Sequence, residues 1–146
     1  MDKKYDPRMH SAEHILNQTM DRMLQCGRCF NAHIERKKSK CDYHLERALT
    51  ADEIEEIQTR VNRIIQSDLP VNEKFVSKTE ALNKFNADKL PADVGDRIRV
   101  VSIGDYDHCL CIGPHVNSTA DIGEFKITST AFEDGVLRIR YKLGNS

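Results

Sequence analysis

The sequence predicts an α+β fold in which helices pack on a mainly antiparallel sheet. Two observations predict it: stretches with apolar residues at helical spacing, and stretches in which apolar and polar residues alternate between short turns. At 146 residues the chain has the length of one domain, so we expect residues 1–146 to form a single unit around one core.

The first predicted helix begins at Asp6 and Pro7, a favourable N-cap and first-turn pair. Apolar residues then recur at helical spacing through about Gln25, at Met9, Ala12, Leu16, Met20, Met23 and Leu24. Gly27 is expected to end the helix, because glycine is favoured just beyond a helix C-terminus.

The second predicted helix opens with a capping box at residues 50–53, and Pro70 follows its end. Its buried face is expected to carry Ile54, Ile57, Val61, Ile64 and Ile65. A shorter helix is expected over residues 78–85, followed by a loop over residues 86–96 that holds a proline and a glycine.

The strands are predicted from alternating apolar residues bounded by turn residues. They span residues 30–36, 40–47, 71–77, 97–103, 125–132 and 136–143. A charged turn at residues 37–39 joins the first two strands, and residues 133–135 close a hairpin between the last two.

Composition excludes several classes of protein. Hydrophobic residues make up 39% of the chain, and no apolar run approaches the ~20 residues that span a bilayer, so no membrane association is expected. Residues 1–6 have no apolar stretch behind their lysines, so we predict no signal peptide and a cytoplasmic location. The net charge of −1 argues against a broad grip on a nucleic-acid duplex, and DNA is not an expected partner.

Two basic patches are candidates for a local contact with RNA. One is the turn at residues 36–40, and the other is the row of Arg138, Arg140 and Lys142 on one face of the last strand. An ordinary solvated turn or strand face is the alternative for each of them.

The five cysteines are an odd number in a chain without an export signal, which indicates free thiols or metal ligands. Cys26, Cys29, Cys41 and His44 spell a plausible zinc-ribbon set. If the first hairpin turn centres on Lys38, however, Cys41 lies roughly 20 Å from Cys29, so one zinc does not reach both pairs. Redox cysteines would open a helix, whereas Cys26 and Cys29 follow one, so we expect a structural role, with a redox protein as the alternative.

Two paired motifs near opposite ends of the chain carry the expected chemistry. His10 and His14 are four residues apart, so on a helix their imidazoles share one face. Cys111 and His115 add a thiolate and a third imidazole at the same spacing. Two surface histidines would be the simpler interpretation of the first pair alone. The complete nitrogen and sulfur set favours a zinc site.

The residues around Cys111 also carry a family resemblance. Residues 104–119 read Gly-Asp-Tyr-Asp-His-Cys-Leu-Cys-Ile-Gly-Pro-His-Val-Asn-Ser-Thr, and Asp-Ile-Gly-Glu-Phe-Lys-Ile follows at 121–127. This resembles the signature of the second additional domain shared by alanyl- and threonyl-tRNA synthetases, which also occurs free-standing in the AlaX family. Its members pair an early His-x-x-x-His with a late Cys-x-x-x-His. The resemblance extends from about Pro7 to Leu143.

The resemblance implies a trans-editing hydrolase that needs no ATP. Such proteins cleave the ester between a wrong amino acid and the terminal adenosine at the acceptor end of a tRNA. His10, His14, Cys111 and His115 are then the catalytic residues and the ligands of Zn²⁺. Four bound ligands close a tetrahedral shell, so catalysis needs five-coordination or one loose ligand. Threonine-type relatives imply an alternative in which the same residues act as general acids and bases with little need of metal.

Two departures leave the tRNA partner open. Cys-Ile-Gly-Pro-His at 111–115 is closer to the threonine-type Cys-Arg-Gly-Pro-His than to the alanine-type Cys-Gly-Gly-Thr-His, and Ala120 replaces the family's usual glycine. We expect serine wrongly attached to the tRNA for alanine as the substrate, with the tRNA for threonine as the alternative. A catalytically inactive, zinc-stabilised tRNA-binding module is the alternative from another class.

Three further residues are placed around this motif. We expect Cys109 and Cys111 to point to opposite faces of a strand, and the family resemblance selects Cys111 as the ligand. Asp42 belongs to an Asp-Tyr step that resembles the Asp-Phe step after the family's first hairpin, which puts it beside the pocket as a substrate-binding residue. His33 is a second substrate-binding candidate, with a surface strand residue as its alternative.

Overall fold

The computed structural model describes residues 6–77, 79–80, 97–111 and 113–144. Its helices are α1 (Pro7–Leu24) and α2 (Ala51–Gln66). Its strands are β1 (Asn31–Ile34), β2 (Ser39–His44), β3 (Val71–Ser77), β4 (Arg97–Ile103), β5 (Asp107–Leu110), β6 (Phe125–Glu133) and β7 (Val136–Leu143). The helix expected over 78–85 and the loop expected over 86–96 lie largely outside the described residues.

The strands form two antiparallel sheets. The larger has the order β1-β2-β7-β6, and the smaller has the order β3-β4-β5. The predicted α+β class is confirmed, with the difference that the strands divide between two sheets rather than one. The main core lies between the two helices and the inner face of the larger sheet, where it buries Ala12, Leu16, Ile57, Val61, Tyr43, Leu137, Ile139 and Tyr141.

Both described helices begin as their sequences predict. The Asp6 side chain accepts a hydrogen bond from the Met9 backbone N–H at 3.1 Å. Thr50 and Glu53 exchange both bonds of a capping box at the start of α2. The end of α1 differs from the prediction, because the helix is capped at Gln25, which has a left-handed φ of 53°, two residues before Gly27.

The first hairpin has a different register from the one expected. Ala32 pairs with Cys41 and Ile34 pairs with Ser39. The Ser39 hydroxyl closes the turn early, because it accepts from the Glu35 N–H and donates to the Glu35 carbonyl. Cys41 therefore lies opposite residue 32 instead of residue 35, closer to Cys29 than the sequence indicated.

Candidate metal centre and active site

The four residues of the paired motifs converge on one point. One ligand atom from each of His10, His14, Cys111 and His115 lies within 4.8 Å of the others. Nε2 of His10 and Nε2 of His115 lie 3.3 and 3.4 Å from the Cys111 sulfur. The three imidazole centroids are between 4.1 and 5.0 Å apart. We call these four residues the histidine site, a group that can bind a metal ion.

The N-terminal turn of α1, which presents His10, is anchored to the end of the larger sheet. The Arg8 guanidinium donates to the Ile122 carbonyl at 2.8 Å and also to the Gly144 carbonyl. The Tyr141 hydroxyl donates to the Met9 carbonyl at 3.0 Å. These bonds fix the position of the helix against which the rest of the site is built.

The loop after β5 brings the second pair to the helix. The Cys111 N–H donates to the Arg99 carbonyl at 3.2 Å and so extends the β4–β5 pairing by one residue. The Arg99 guanidinium donates to the Gly113 carbonyl at 2.7 Å. The chain turns at Gly113 and Pro114, which places His115 back beside Cys111, as the sequence predicts.

Each imidazole of the histidine site has an oxygen beside its second ring nitrogen, Nδ1. Nδ1 of His10 donates to the Pro114 carbonyl at 3.0 Å, and Nδ1 of His115 lies 2.9 Å from the Ser11 hydroxyl. Nδ1 of His14 lies 3.6 Å from a carboxylate oxygen of Asp107, an ion-pair distance. Histidines that bind metals commonly use their second nitrogen in this way, because the contact orients the ring.

Asp107 is a residue of this site that the sequence analysis missed. Its carboxylate is fully buried, accepts from Gln18 at 2.9 Å and binds both ends of the Arg28 guanidinium at 2.8 and 3.2 Å. Burial raises the pKa of Asp107, but His14 and Arg28 outweigh burial and hold it well below its usual range. The sequence did contain a signal for it. Asp107 is two residues from Cys109 and four from Cys111, so all three share one face of a strand.

The electrostatics of the site favour a thiolate at Cys111. Burial alone raises the pKa of this thiol, but hydrogen bonds with His10, His115 and His14 lower it to about 3. Burial lowers the pKa of His14, yet Asp107 and Cys111 raise it to about 10. Burial is the main cause at His115 and lowers its pKa to about 4. At neutral pH and without a metal, the site therefore holds Cys111 as a thiolate, His14 as an imidazolium and His115 as a neutral imidazole.

Cys109 lies on the same face as Cys111, so the expected opposition of the two cysteines is wrong. Residues two apart on a strand share a face, and the side chain of Cys109 interacts electrostatically with His14, Arg28 and Asp107. Burial raises the pKa of the Cys109 thiol. Within the described part of the chain, Cys109 is not among the four converging ligands. It borders the histidine site as a neutral thiol.

Asp42 and His33 lie on the outer face of the larger sheet. Because Cys41 and Tyr43 point into the core, Asp42 between them points outward. Its carboxylate binds Arg138 at 2.8 and 3.0 Å. His33 is exposed on β1. The structure does not bring either residue to the histidine site, and their binding of substrate stays a prediction.

The other buried cysteines form a separate group. Ligand atoms of Glu13, Cys29 and Cys41 lie within 4.8 Å of one another, and we call these three residues the thiol group. The expected separation of roughly 20 Å between Cys29 and Cys41 is therefore wrong, because the actual hairpin register moves Cys41 toward Cys29. Among the described residues neither Cys26 nor His44 joins the group, so the zinc-ribbon set does not form. Burial raises the pKa of Cys26, which does not favour a reactive thiolate.

Comparison with known proteins identifies the family. A family model described as the threonyl and alanyl tRNA synthetase second additional domain matches residues 98–140. The alanine–tRNA ligase of Methanopyrus kandleri is 33% identical over 147 residues, covering 95% of this chain. Those of Fervidobacterium nodosum and Aeropyrum pernix are each 35% identical and cover 94% of it. The chain belongs to the second additional domain family.

This second additional domain corresponds to one part of much longer relatives. The chain spans 16% of the length of each of these three ligases. The α+β architecture and the matched segment, which includes Cys111 and His115, agree with membership of the second additional domain family. In the described ranges, no helix has the length and apolar character needed to cross a membrane.

Proposed function

We propose that this second additional domain hydrolyses the ester of tRNA that carries a wrong amino acid. One observation carries the proposal: the two motif pairs converge in the histidine site, where each imidazole has an oxygen beside Nδ1. Membership of the family supports the acceptor end of tRNA as the substrate. The reaction is expected in the cytoplasm and needs no ATP.

We propose Zn²⁺ as the metal, held by His10, His14, Cys111 and His115. Three imidazoles and one thiolate are donors that zinc selects, and the lowered pKa of Cys111 provides the thiolate in advance. When bound, zinc would either lower the pKa of a bound water to about 7 or bind the substrate's amino group. The oxygens beside the Nδ1 atoms keep the three rings oriented for this role.

The same residues also support hydrolysis by acid–base chemistry alone. Neutral His115 accepts a proton from the water that attacks the ester carbonyl. The His14 imidazolium donates a proton to the ribose oxygen as the carbon–oxygen bond of the ester breaks. The products are the free amino acid and a tRNA whose terminal hydroxyl is restored. The proton taken from water is then on His115, and the proton given up by His14 is on the ribose hydroxyl.

The expected substrate is serine attached to the tRNA for alanine, with the tRNA for threonine as the alternative. In a pocket that hydrogen-bonds the hydroxyl of serine, the pocket group that contacts this hydroxyl is left unpaired when alanine binds. That loss of about 1–3 kcal/mol corresponds to roughly 10- to 150-fold in rate. Correctly charged alanine should therefore survive.

A panel of charged tRNAs tests the proposal. The tRNAs for alanine and for threonine are charged with serine, alanine, glycine or threonine, and release of each amino acid is measured with and without the protein. We expect fastest release of serine. Alanine released as fast as serine would contradict a pocket that reads the hydroxyl. The closed set of four ligands favours a second candidate, an inactive zinc-stabilised module, which would bind tRNA without releasing any amino acid.

A further inference from the structure

The outer face of the larger sheet joins the two basic patches of the sequence into one surface. Lys40 pairs with Arg140 across β2 and β7, and Lys126 pairs with Lys142 across β6 and β7. Arg140 and Lys142 flank the buried Tyr141, so they point away from the core. We call Lys40, Lys126, Arg140 and Lys142 the basic face.

The positive charge of the basic face is only partly balanced within the protein. Like charges directly opposite each other on neighbouring strands are unfavourable, and both cross-strand pairs are of this kind. Asp42 shares the outer face and attracts Lys40, but its carboxylate is already bound at both oxygens by Arg138. In the described part of the chain, none of the four cations forms an ion pair. Because the chain has a net charge of −1, this surface is a local concentration of positive charge.

The basic face lies at the same end of the protein as the histidine site. Tyr141, which separates Arg140 from Lys142, donates its hydroxyl hydrogen to the carbonyl of Met9 at 3.0 Å. Met9 directly precedes His10 in α1. Because Tyr141 points inward and its two neighbours point outward, an RNA strand on the basic face has to pass round this end of the sheet to reach the site.

We propose that the basic face binds backbone phosphates of the tRNA acceptor arm while the aminoacylated end occupies the histidine site. This inference rests on the proposed function and adds the surface that holds the rest of the substrate. Long, flexible cations on a flat sheet suit a polyanion, because phosphate contacts need charge and reach rather than a shaped pocket. With so few cations, binding should be modest and should weaken as salt rises.

The double variant R140Q/K142Q tests the proposal against a matched control. R63Q/K74Q also removes two positive charges, from exposed positions on α2 and β3. Binding of uncharged tRNA is measured by fluorescence anisotropy over a range of salt concentrations. We expect R140Q/K142Q to raise the dissociation constant roughly tenfold and to reduce the logarithmic salt slope by about two, or about one for each phosphate that is no longer bound. The control should stay within about twofold of the unsubstituted protein.

Hydrolysis of two substrates separates the surface from the site. For serine on the tRNA for alanine, R140Q/K142Q should raise KM and leave kcat unchanged, since the histidine site is intact. For seryl-adenosine, which has no acceptor arm, both parameters should be unchanged. Lys126→Gln, a single substitution on the same face, should move tRNA binding in the same direction by a smaller factor, and it serves if the double variant does not fold.

Several results would overturn the proposal. An unchanged dissociation constant for tRNA, or an equal change in R63Q/K74Q, would show that the basic face is an ordinary solvated surface. Polyglutamate that binds more tightly than tRNA, and loses binding in R140Q/K142Q, would mean that the face takes an acidic protein. If neither ester is hydrolysed but R140Q/K142Q still weakens tRNA binding, the proposed hydrolysis fails and the basic face stands.

Discussion

Two groups of metal-type ligands lie side by side along α1, and they differ in what surrounds them. The histidine site and the thiol group each bring ligand atoms within 4.8 Å of one another. In the histidine site every ring has an oxygen beside Nδ1, and Cys111 and His115 are only partly buried. In the thiol group all three residues are buried and none is a histidine. Short distances alone therefore do not distinguish a metal centre, whereas oriented rings and access from the surface do.

The polar atoms of the thiol group are part of the main core. The Cys29 N–H donates to the Asn17 side chain at 3.2 Å, and the Tyr43 hydroxyl donates to the same oxygen at 2.7 Å. The Cys29 thiol donates to the Glu13 carboxylate at 3.3 Å, and Cys41 is completely buried. Buried cysteines of this kind behave as small apolar residues, so the comparison assigns the thiol group a structural role.

Cys111→Ala should have the largest effect on the histidine site. The substitution removes the only sulfur among its four donors, so we expect metal content to fall below about half an ion per chain. Deacylation should fall roughly 100-fold or more, because even residues that only support a ligand are worth about 10- to 100-fold. Elemental analysis and a deacylation assay on the same preparation measure both quantities, and circular dichroism checks the fold.

Cys29→Ala and Cys109→Ala are the matched controls for that substitution. Cys29→Ala should lower the free energy of unfolding by about 1–2 kcal/mol and leave metal content unchanged. Cys109→Ala should be much milder in the deacylation assay, because its thiol is neutral and outside the ligand set. Loss of the metal in Cys29→Ala would reverse the assignment of the two groups.

Asp107→Asn should have the next largest effect. The substitution removes the negative charge that faces His14 and pairs with Arg28, so we expect metal affinity to fall about 10- to 100-fold. The free energy of unfolding should also fall, by about 3 kcal/mol, because the Arg28 charge is left largely buried without its partner. Competition with a chelator of known affinity measures the first effect, and urea unfolding of the metal-free protein measures the second.

Asp42→Asn is the matched control, because the Asp42 carboxylate has a similar geometry and lies away from the site. Asp42 also binds an arginine through both oxygens, but Arg138 is more exposed and no histidine of the site is near. Metal affinity should therefore be unchanged, and stability should change by less than about 1 kcal/mol. An equal loss of metal affinity in both variants would mean that Asp107 acts only through general stability.

Local signals in the sequence predicted the helix starts and the ligand pairs. The cap at Asp6 and the capping box at Thr50 use hydrogen bonds between residues close in sequence, so the residue types are sufficient to predict them. The shared face of His10 and His14 follows from helical periodicity. The pairing of these histidines with Cys111 was predicted from the complementary ligand set and supported by the family resemblance, although the two motifs are far apart in the chain.

The errors arose where contacts between distant segments decide the result. The hairpin register depends on the Ser39 hydroxyl closing the turn, and an assumed centre at Lys38 missed it. The surroundings of Asp42 also depend on a distant segment, because the register of β2 against β7 pairs it with Arg138, and its binding of substrate stays a prediction. The error about Cys109 had a different origin. The two-residue period of a strand was sufficient to place Cys109 on the same face as Cys111.

Apart from the control variants, Glu13→Gln should have the smallest effect, and it tests the boundary between the two groups. The Glu13 carboxylate lies 3.6 Å from Nε2 of His10 through one oxygen and 3.3 Å from the Cys29 sulfur through the other. If Glu13 belongs to the core rather than to the ligand set, glutamine should preserve its shape and one acceptor. Metal content should then be unchanged, metal affinity should change by no more than about threefold, and the free energy of unfolding should fall by about 1 kcal/mol.

The two outcomes of Glu13→Gln separate the two groups more sharply than any cysteine substitution, because glutamine removes charge without opening a cavity. A complete loss of metal would place the carboxylate among the ligands and merge the histidine site with the thiol group. A loss of stability with the metal retained would keep them apart. In that case Glu13 is a buried acceptor for Cys29, and the negative charge of Glu13 also lies near His10. The change in metal affinity then measures the electrostatic influence of the core on the site.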